Sequence, residues 1–287
     1  MPDKCYRSEL IGLFGYPVDE NATVVIMEAA FRELDLNYRY ITTKVYPKGL
    51  ETAIAALKAL NMKGTHITIP HKVEVLRYLD HISETAALMG AVNTIYLRDG
   101  ETYGENTDGK GFITSLYDNA VEMKGRRVVI LGAGGAARAM TVELASAGVA
   151  HITIVNRNRE KGEALVALLN NKTQTSAQYS PWDKPYMIPA DTDILVNATS
   201  VGMYPDPSVP DIDYSTLLPG MIVCDGVHNP VQTPFLIKAS QIGCKTLDGF
   251  SMLVNQGAIS FKLWTELDAP VEVMRQALAK EFNLILG

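Results

Sequence analysis

Short apolar runs alternate along this chain with longer stretches of helical period. Residues 10–15 (Leu-Ile-Gly-Leu-Phe-Gly) read as a buried strand that stops at Tyr16-Pro17. Residues 26–34 then place Ile26, Ala29, Ala30 and Leu34 on one helical face. A strand over 38–43, an Ala- and Leu-rich helix over 50–60 and a strand over 64–69 follow. Pro70 ends that strand, and helical period resumes over 73–79. Residues 91–97 and 102–104 predict two strands about the turn Asp99-Gly100. After a helix at 112–117 the alternation becomes regular. Strands are expected at 128–131, 151–155, 193–197, 221–225 and 245–247, with helices at 160–169 and at 235–242, the latter ended by Gly243. Such alternation predicts an α/β fold built on mostly parallel sheets, with about 118–248 as one doubly wound unit. The helical tail over 252–286 falls outside that unit and is expected to complete the first domain.

Composition narrows the function classes. With 47% hydrophobic and 20% charged residues, the chain has material for full cores. A net charge of −6 without any basic run argues against a nucleic-acid partner, because phosphate neutralisation needs clustered Lys and Arg. No apolar run approaches the roughly 20 residues of a membrane span, and the first residues lack the apolar core of a signal peptide. Cys5, Cys224 and Cys244 have no spacing that suits a metal site or a disulfide framework, so reduced, structural thiols are expected. These features predict a cytoplasmic protein of enzyme size with no bound metal; a small-molecule substrate and a monomer or homodimer are further expectations.

The candidate chemistry centres on Val128-Val129-Ile130-Leu131-Gly132-Ala133-Gly134-Gly135-Ala136-Ala137-Arg138. A β-branched run stops at a glycine cluster, and an Ala-rich helix starts at once. Glycine lets backbone approach a ligand closely, and the N–H groups of a first helical turn attract a pyrophosphate. Gly132, Gly134, Gly135 and Ala136 are therefore candidate dinucleotide contacts in a Rossmann unit, with alanine where the fingerprint has its third glycine. A small-residue contact between helix and strand is the competing reading. About 20 residues on, an NAD site ordinarily offers a carboxylate to the ribose. Here stand Asn156-Arg157-Asn158-Arg159-Glu160-Lys161. Asn156, Arg157 and Lys161 suit a 2′-phosphate, which a carboxylate would repel, so NADP is expected over NAD. The solvated start of a helix would show similar charges.

Several collinear segments extend the picture: Thr68-Ile69-Pro70-His71-Lys72, Gly90-Ala91-Val92-Asn93-Thr94, Gly104-Glu105-Asn106-Thr107-Asp108-Gly109, Asn197-Ala198-Thr199-Ser200-Val201-Gly202-Met203 and Asp248-Gly249-Phe250-Ser251-Met252 running on through Gln256. With the glycine turn they span nearly the whole chain, which resembles the shikimate dehydrogenase family. The resemblance implies an N-terminal substrate domain (1–114, completed by 249–287) and a Rossmann NADP domain (115–248). It implies that Lys72 and Asp108 form an acid–base pair at a ring hydroxyl. Asn93, Gln256 and Thr68 should meet the substrate. Asn197, Thr199, Met203, Val227, Gly249 and Met252 should lie along the cofactor. The residue types suit the chemistry, because an alcohol becomes a ketone only if the hydroxyl proton also departs to a base. Taken singly, Lys72 could be an exposed helix start, Asp108 and Asn93 turn formers, and Met203 and Met252 core filler.

The family pattern fails in the substrate pocket. A Ser-x-Ser pair that holds the substrate carboxylate is replaced by Asn21-Ala22-Thr23, with Asp19 and Glu20 just before it. His66 stands where the family has asparagine, and His228 where it has tyrosine. Asn21, Thr23, His66 and His228 remain candidate substrate contacts, or volume fillers in the case of the histidines. Convergence of His66, His71 and His228 on a metal is not expected. The expected activity interconverts 3-dehydroshikimate and shikimate, with quinate a possible further substrate, by hydride transfer with NADP. The alternatives are a paralogue acting on a different cyclic polyol or amino-polyol, and an NADP-binding regulator whose catalysis has lapsed.

Overall fold

The computed structural model describes residues 6–284, so Cys5 and the last residues of the expected helical tail lie outside the described residues. The chain forms two compact units, one comprising 1–107 and 254–287 and the other 108–253.

In the first unit β1 (Glu9–Gly15), α1 (Thr23–Glu33), β2 (Tyr38–Lys44), α2 (Leu50–Ala59) and β3 (Gly64–Ile67) follow in turn. Then come β4 (His81–Ile82), α3 (Glu84–Met89), β5 (Thr94–Arg98) and β6 (Glu101–Glu105). The sheet order is β2-β1-β3-β5-β6-β4, with β3·β5 and β5·β6 antiparallel and the other pairs parallel. The helical turn expected over 73–79 is a 3-10 segment, Glu74–Tyr78, and α3 has no counterpart among the elements expected from sequence. Leu50, Ile54 and Leu57 of α2 pack with Phe14, Ile67, Val92 and Ile95. α1 buries Ile26, Met27, Ala30 and Phe31, and Phe31 stacks on Phe261 with ring centroids 5.7 Å apart.

The second unit holds β7 (Arg127–Leu131), α5 (Gly135–Ser146), β8 (His151–Asn156), α6 (Arg159–Lys172) and β9 (Ser176–Pro181). β10 (Tyr186–Met187), β11 (Ile194–Asn197), β12 (Ile212–Asp213), β13 (Ile222–Asp225), α7 (Pro234–Ile242) and β14 (Lys245–Leu247) complete it. α4 (Thr107–Asp118) leads in and α8 (Gly249–Thr265) leads out, before α9 (Val271–Glu281) in the first unit. Six strands pair in the order β14-β13-β11-β7-β8-β9, all parallel. The period-two pattern of β7 explains why its run is continuously apolar. Val128 and Ile130 face Met140, Leu144 and Leu165 on one side, while Val129 and Leu131 face Phe235, Leu236 and Trp182 on the other. Polar alternation in Ser-Ala-Gln-Tyr-Ser hides β9, an edge strand that the hydrophobic pattern does not reveal.

Among the described residues no helix is long and apolar enough to cross a membrane. Cys224 and Cys244 are buried free thiols.

Candidate functional site

Three loops gather at the C-terminal ends of β1, β2 and β3. The Tyr16 N–H donates to Ile69 O (2.8 Å), the Val45 N–H to Gly15 O (2.9 Å), and the Thr68 N–H to Phe14 O (3.0 Å). A methyl on Gly15 would overlap the Thr68 side chain, so glycine is what lets β1 close on that turn. His71 is 2% exposed and its Nε2 lies 2.7 Å from Val45 O, which ties the turn carrying Lys72 to the end of β2. The Val92 N–H donates to Lys72 O (2.8 Å), so the segment leading into Asn93 is bonded to the same turn.

Asn93 begins a buried polar network. Its Oδ1 accepts from the Thr107 N–H (2.7 Å) and its Nδ2 donates to Thr107 Oγ1 (3.0 Å). Thr107 Oγ1 in turn lies 3.4 Å from Gln256 Oε1 and 3.1 Å from Ser260 Oγ, and Thr94 Oγ1 lies 2.9 Å from Ser260 Oγ. The structure thus brings Asn93 and Gln256 together around Thr107, three elements far apart in sequence. Thr94, Thr107 and Ser260 were not singled out as site residues, because small hydroxyls carry no signature until the fold groups them. Asp108 follows Thr107 directly, as the second residue of α4.

Other candidates make contacts within the first unit. His66 is 4% exposed, with Nδ1 2.6 Å from the Tyr40 hydroxyl and its ring edge-on to Trp264 at 4.6 Å. Burial pushes the Tyr40 phenol well up, which keeps it neutral. At the head of α1, Asn21 Oδ1 accepts the Thr23 N–H (3.0 Å), and Thr23 is buried. Asp19, expected as an unbalanced acid, is paired with Lys44 at 3.2 Å and raises that ammonium above its ordinary range.

In the second unit β7 and β11 are neighbours from which the strand order runs outward in both directions, so the loops after them diverge and leave a crevice. Gly132 has φ +110°, and any side chain there would press on Thr199 and Ala198, so glycine is required both by backbone and by space. Gly134 and Gly135 have open space where a Cβ would be, and Ala136 is exposed in the first turn of α5. This cradle, with free N–H groups at a helix start, fits a pyrophosphate.

At the end of β8, Asn156 Nδ2 donates to Asn158 O (2.7 Å), and Asn158 caps α6 by accepting the Lys161 N–H (2.9 Å). The exposed Arg157 guanidinium sits 5.4 Å over the Trp182 ring, and Trp182 is held by donating to Asp211 O (2.8 Å). Arg157 is thereby pre-positioned, whereas Arg159 is engaged with Glu163 (2.8 Å). The donor set fits a phosphate dianion.

The Asn197 side chain is engaged within the fold. Nδ2 donates to Asp225 Oδ1 (2.9 Å) and Val201 O (3.2 Å), while Oδ1 accepts from Thr199 N–H (3.1 Å) and Oγ1 (2.6 Å). It shapes the 197–201 loop and holds Thr199. Asp225, which sequence reasoning passed over, is the hub behind it. At 2% exposure it accepts from Asn197, from the Val227 N–H (3.0 Å) and from Thr233 Oγ1 (2.6 Å), and burial pushes its carboxyl up to about 6. Val227 O approaches Gly249 so closely that a methyl there would overlap it. Burial holds the neighbouring His228 imidazole below its usual range. Met203 is partly exposed, and Met252 packs against the apolar core of the unit.

Three family models match the chain: the shikimate dehydrogenase substrate-binding domain over 13–95, shikimate/quinate 5-dehydrogenase over 115–204, and the shikimate 5′-dehydrogenase C-terminal domain over 249–279. A protein named shikimate dehydrogenase (NADP(+)) from Desulforamulus reducens is 42% identical over 96% of both chains. A crystal structure of 5-ketofructose reductase from Gluconobacter sp. strain CHM43 is 45% identical with a TM-score of 0.94, covering 97% of this chain and all of that one. A crystal structure of a shikimate dehydrogenase in complex with NADP+ is 39% identical with a TM-score of 0.90, covering 96% of each.

Proposed function

The chain belongs to the shikimate dehydrogenase family, and from that premise we propose that it is an NADP-dependent oxidoreductase that interconverts shikimate and 3-dehydroshikimate. The observation that carries the reading is the bonding of the Lys72 turn to the segment that delivers Asn93 into the buried Thr107–Gln256 network. That joins a proton-exchanging amine to amides able to orient ring hydroxyls.

Lys72 accepts the proton of the reacting hydroxyl during oxidation and returns it to the carbonyl oxygen during reduction. Asp108 orients that hydroxyl and stabilises the ammonium form of Lys72. Asn93, Gln256 and Thr68 fix the ring. Gly132, Gly134, Gly135 and Ala136 would hold the pyrophosphate of NADP, and Arg157 with Asn156 and Lys161 its 2′-phosphate. Thr199, Met203, Val227, Gly249 and Met252 would border its nicotinamide side. When bound, NADP supplies the hydride acceptor. The first unit is read as the substrate-binding domain and the second as the nucleotide-binding one. Action as a monomer or homodimer in the cytoplasm, without a nucleic-acid partner, belongs to the same reading, and the net charge of −6 supports its last part.

A second reading is favoured by one observation. Glu20 is exposed beside the Asn21–Thr23 turn that stands in place of the serine pair, and its charge disfavours a carboxylate there. On this reading the same machinery reduces an uncharged polyhydroxylated ketone, as the name of the 45% identical 5-ketofructose reductase states for that protein. Intact Lys72 and Asp108 oppose a lapsed regulator. Steady-state assays with NADP and NAD against shikimate and quinate test the main reading. Turnover of shikimate with NADP is expected; tight NADP binding without reduction by either substrate would sink it.

A further inference from the structure

Asn197 and Asp225 each end a short buried strand, β11 and β13, and are register partners in the parallel sheet. Each is the last residue before the chain leaves the sheet at the end where the crevice lies. The two oxygens of the buried Asp225 carboxylate divide its hydrogen bonds. Oδ1 accepts from Asn197 Nδ2 (2.9 Å) and from the Val227 N–H (3.0 Å), while Oδ2 accepts from the Thr233 hydroxyl (2.6 Å). The Oδ1 arms lead to the two loops read above as the nicotinamide border. Asn197 passes its hold to Thr199, whose N–H and Oγ1 both donate to Asn197 Oδ1, and the Val201 N–H donates to Thr199 Oγ1 (3.1 Å). Thr199 stands against Gly132, at the start of the glycine cradle. The other arm fixes Val227, whose carbonyl lies against Gly249. The Oδ2 arm leads elsewhere, to Thr233, which caps α7 by accepting the Leu236 N–H (3.3 Å). All three partners are donors, which only an acceptor-only side chain satisfies in full. Burial makes that choice costly, because it pushes the Asp225 carboxyl up to about 6. A group that costs stability in this way is expected where geometry serves function.

We propose that Asp225 is a positioning residue for hydride transfer: through Asn197 and the Val227 N–H, one carboxylate oxygen sets the 197–201 and 225–228 loops against the nicotinamide of NADP. The proposal rests on the reading of that crevice as the NADP site.

The test compares three variants at pH 8, above the titration of Asp225. Asp225→Asn keeps the shape but leaves a neutral oxygen, a weaker acceptor for both loops. Asn197→Ala cuts one loop from the hub. Thr233→Val removes the third donor and the cap of α7 and touches neither loop. With NADP and shikimate, Asp225→Asn and Asn197→Ala should each lower kcat about 10-fold while KM for shikimate stays within about threefold. The double variant should lose less than the product of the single losses, because both cut one path. Thr233→Val should lower Tm and hold kcat within about twofold. A second readout needs no turnover. The fluorescence of bound NADPH, which reports the surroundings of its reduced ring, should change in Asp225→Asn and Asn197→Ala and not in Thr233→Val. Affinity for 2′,5′-ADP, which lacks the nicotinamide, should stay within about twofold in all three. If Asp225→Asn lowers Tm but leaves kcat and NADPH fluorescence unchanged, Asp225 is a structural hub alone and the proposal is refuted. Equal kcat losses in Asp225→Asn and Thr233→Val would refute it too, as general loosening. If the native protein binds neither NADPH nor 2′,5′-ADP, the reading of the crevice falls and the proposal with it. If the fluorescence follows Asp225 while shikimate is not oxidised, the positioning role stands and only the substrate reading falls.

Discussion

Replacing Asp225 by asparagine isolates the energetics of the buried hub behind the 197–201 loop. Asp225 accepts hydrogen bonds from Thr233, Asn197 and the Val227 N–H, yet its desolvation outweighs them and its carboxyl titrates near 6 rather than 3.8. That displacement corresponds to about 3 kcal/mol of cost for the ionised form, at 1.36 kcal/mol per pKa unit. A folded-state value above the unfolded one means that the folded protein binds this proton more tightly. The associated stability is therefore fully present below about pH 4 and lost as pH rises through about 6. Asparagine does not titrate. Relative to Asp225→Asn, the native protein should gain about 1.4 kcal/mol between pH 7.5 and pH 5. Urea unfolding at those two pH values, followed through Trp182 fluorescence with Trp264→Phe present in both proteins, reports on the second unit. A stability difference that stays constant within about 0.5 kcal/mol over that range would refute the buried, ionised hub.

Four further outcomes are expected. Lys72→Ala should lower kcat by about 10²-fold or more while NADP affinity changes less than about twofold, since it removes proton exchange and nothing from the nucleotide cradle; a large loss of cofactor affinity in a binding titration would contradict its role. Arg157→Ala should weaken NADP by about 10-fold or more and NAD hardly at all, and equal losses for the two would exclude the 2′-phosphate contact. Gly64→Ala should destabilise the protein by about 2 kcal/mol or more, because the added methyl would overlap Ile95 O and the Trp264 ring. Gly135→Ala meets nothing within 4 Å, so its Tm should hold while NADP binding weakens, and an unchanged affinity would count against the cradle.

Local physics made much of this protein readable from its sequence. The alternation of strand and helix follows from apolar periods of two and 3.6, which any stretch displays by itself. Gly132 declares its place because no other residue adopts φ +110° cheaply, and Arg157 declares its own by standing where a carboxylate would exclude a phosphate. The segments around Lys72, Asn93, Asp108 and Gln256 carried the resemblance to the family. Edge strand β9 and the short helix α3 escaped because their patterns are polar or brief.

What tertiary structure alone decided is who bonds to whom. Asn197 was legible as an element end, but not as a side chain with all its hydrogen bonds spent inside the fold. Asp225 looked like a strand terminus until β11 and β13 set Asn197 beside it in register. His66 was legible as a departure from the family pattern, but not as a ring set against the Tyr40 hydroxyl and Trp264. Asp19 looked like a bare acid until β2 brought Lys44 to it. Periodicity and backbone preference are properties of neighbours in sequence. A buried polar group takes whichever partner the packed strands and helices deliver, and that choice exists only once the sheet has been assembled.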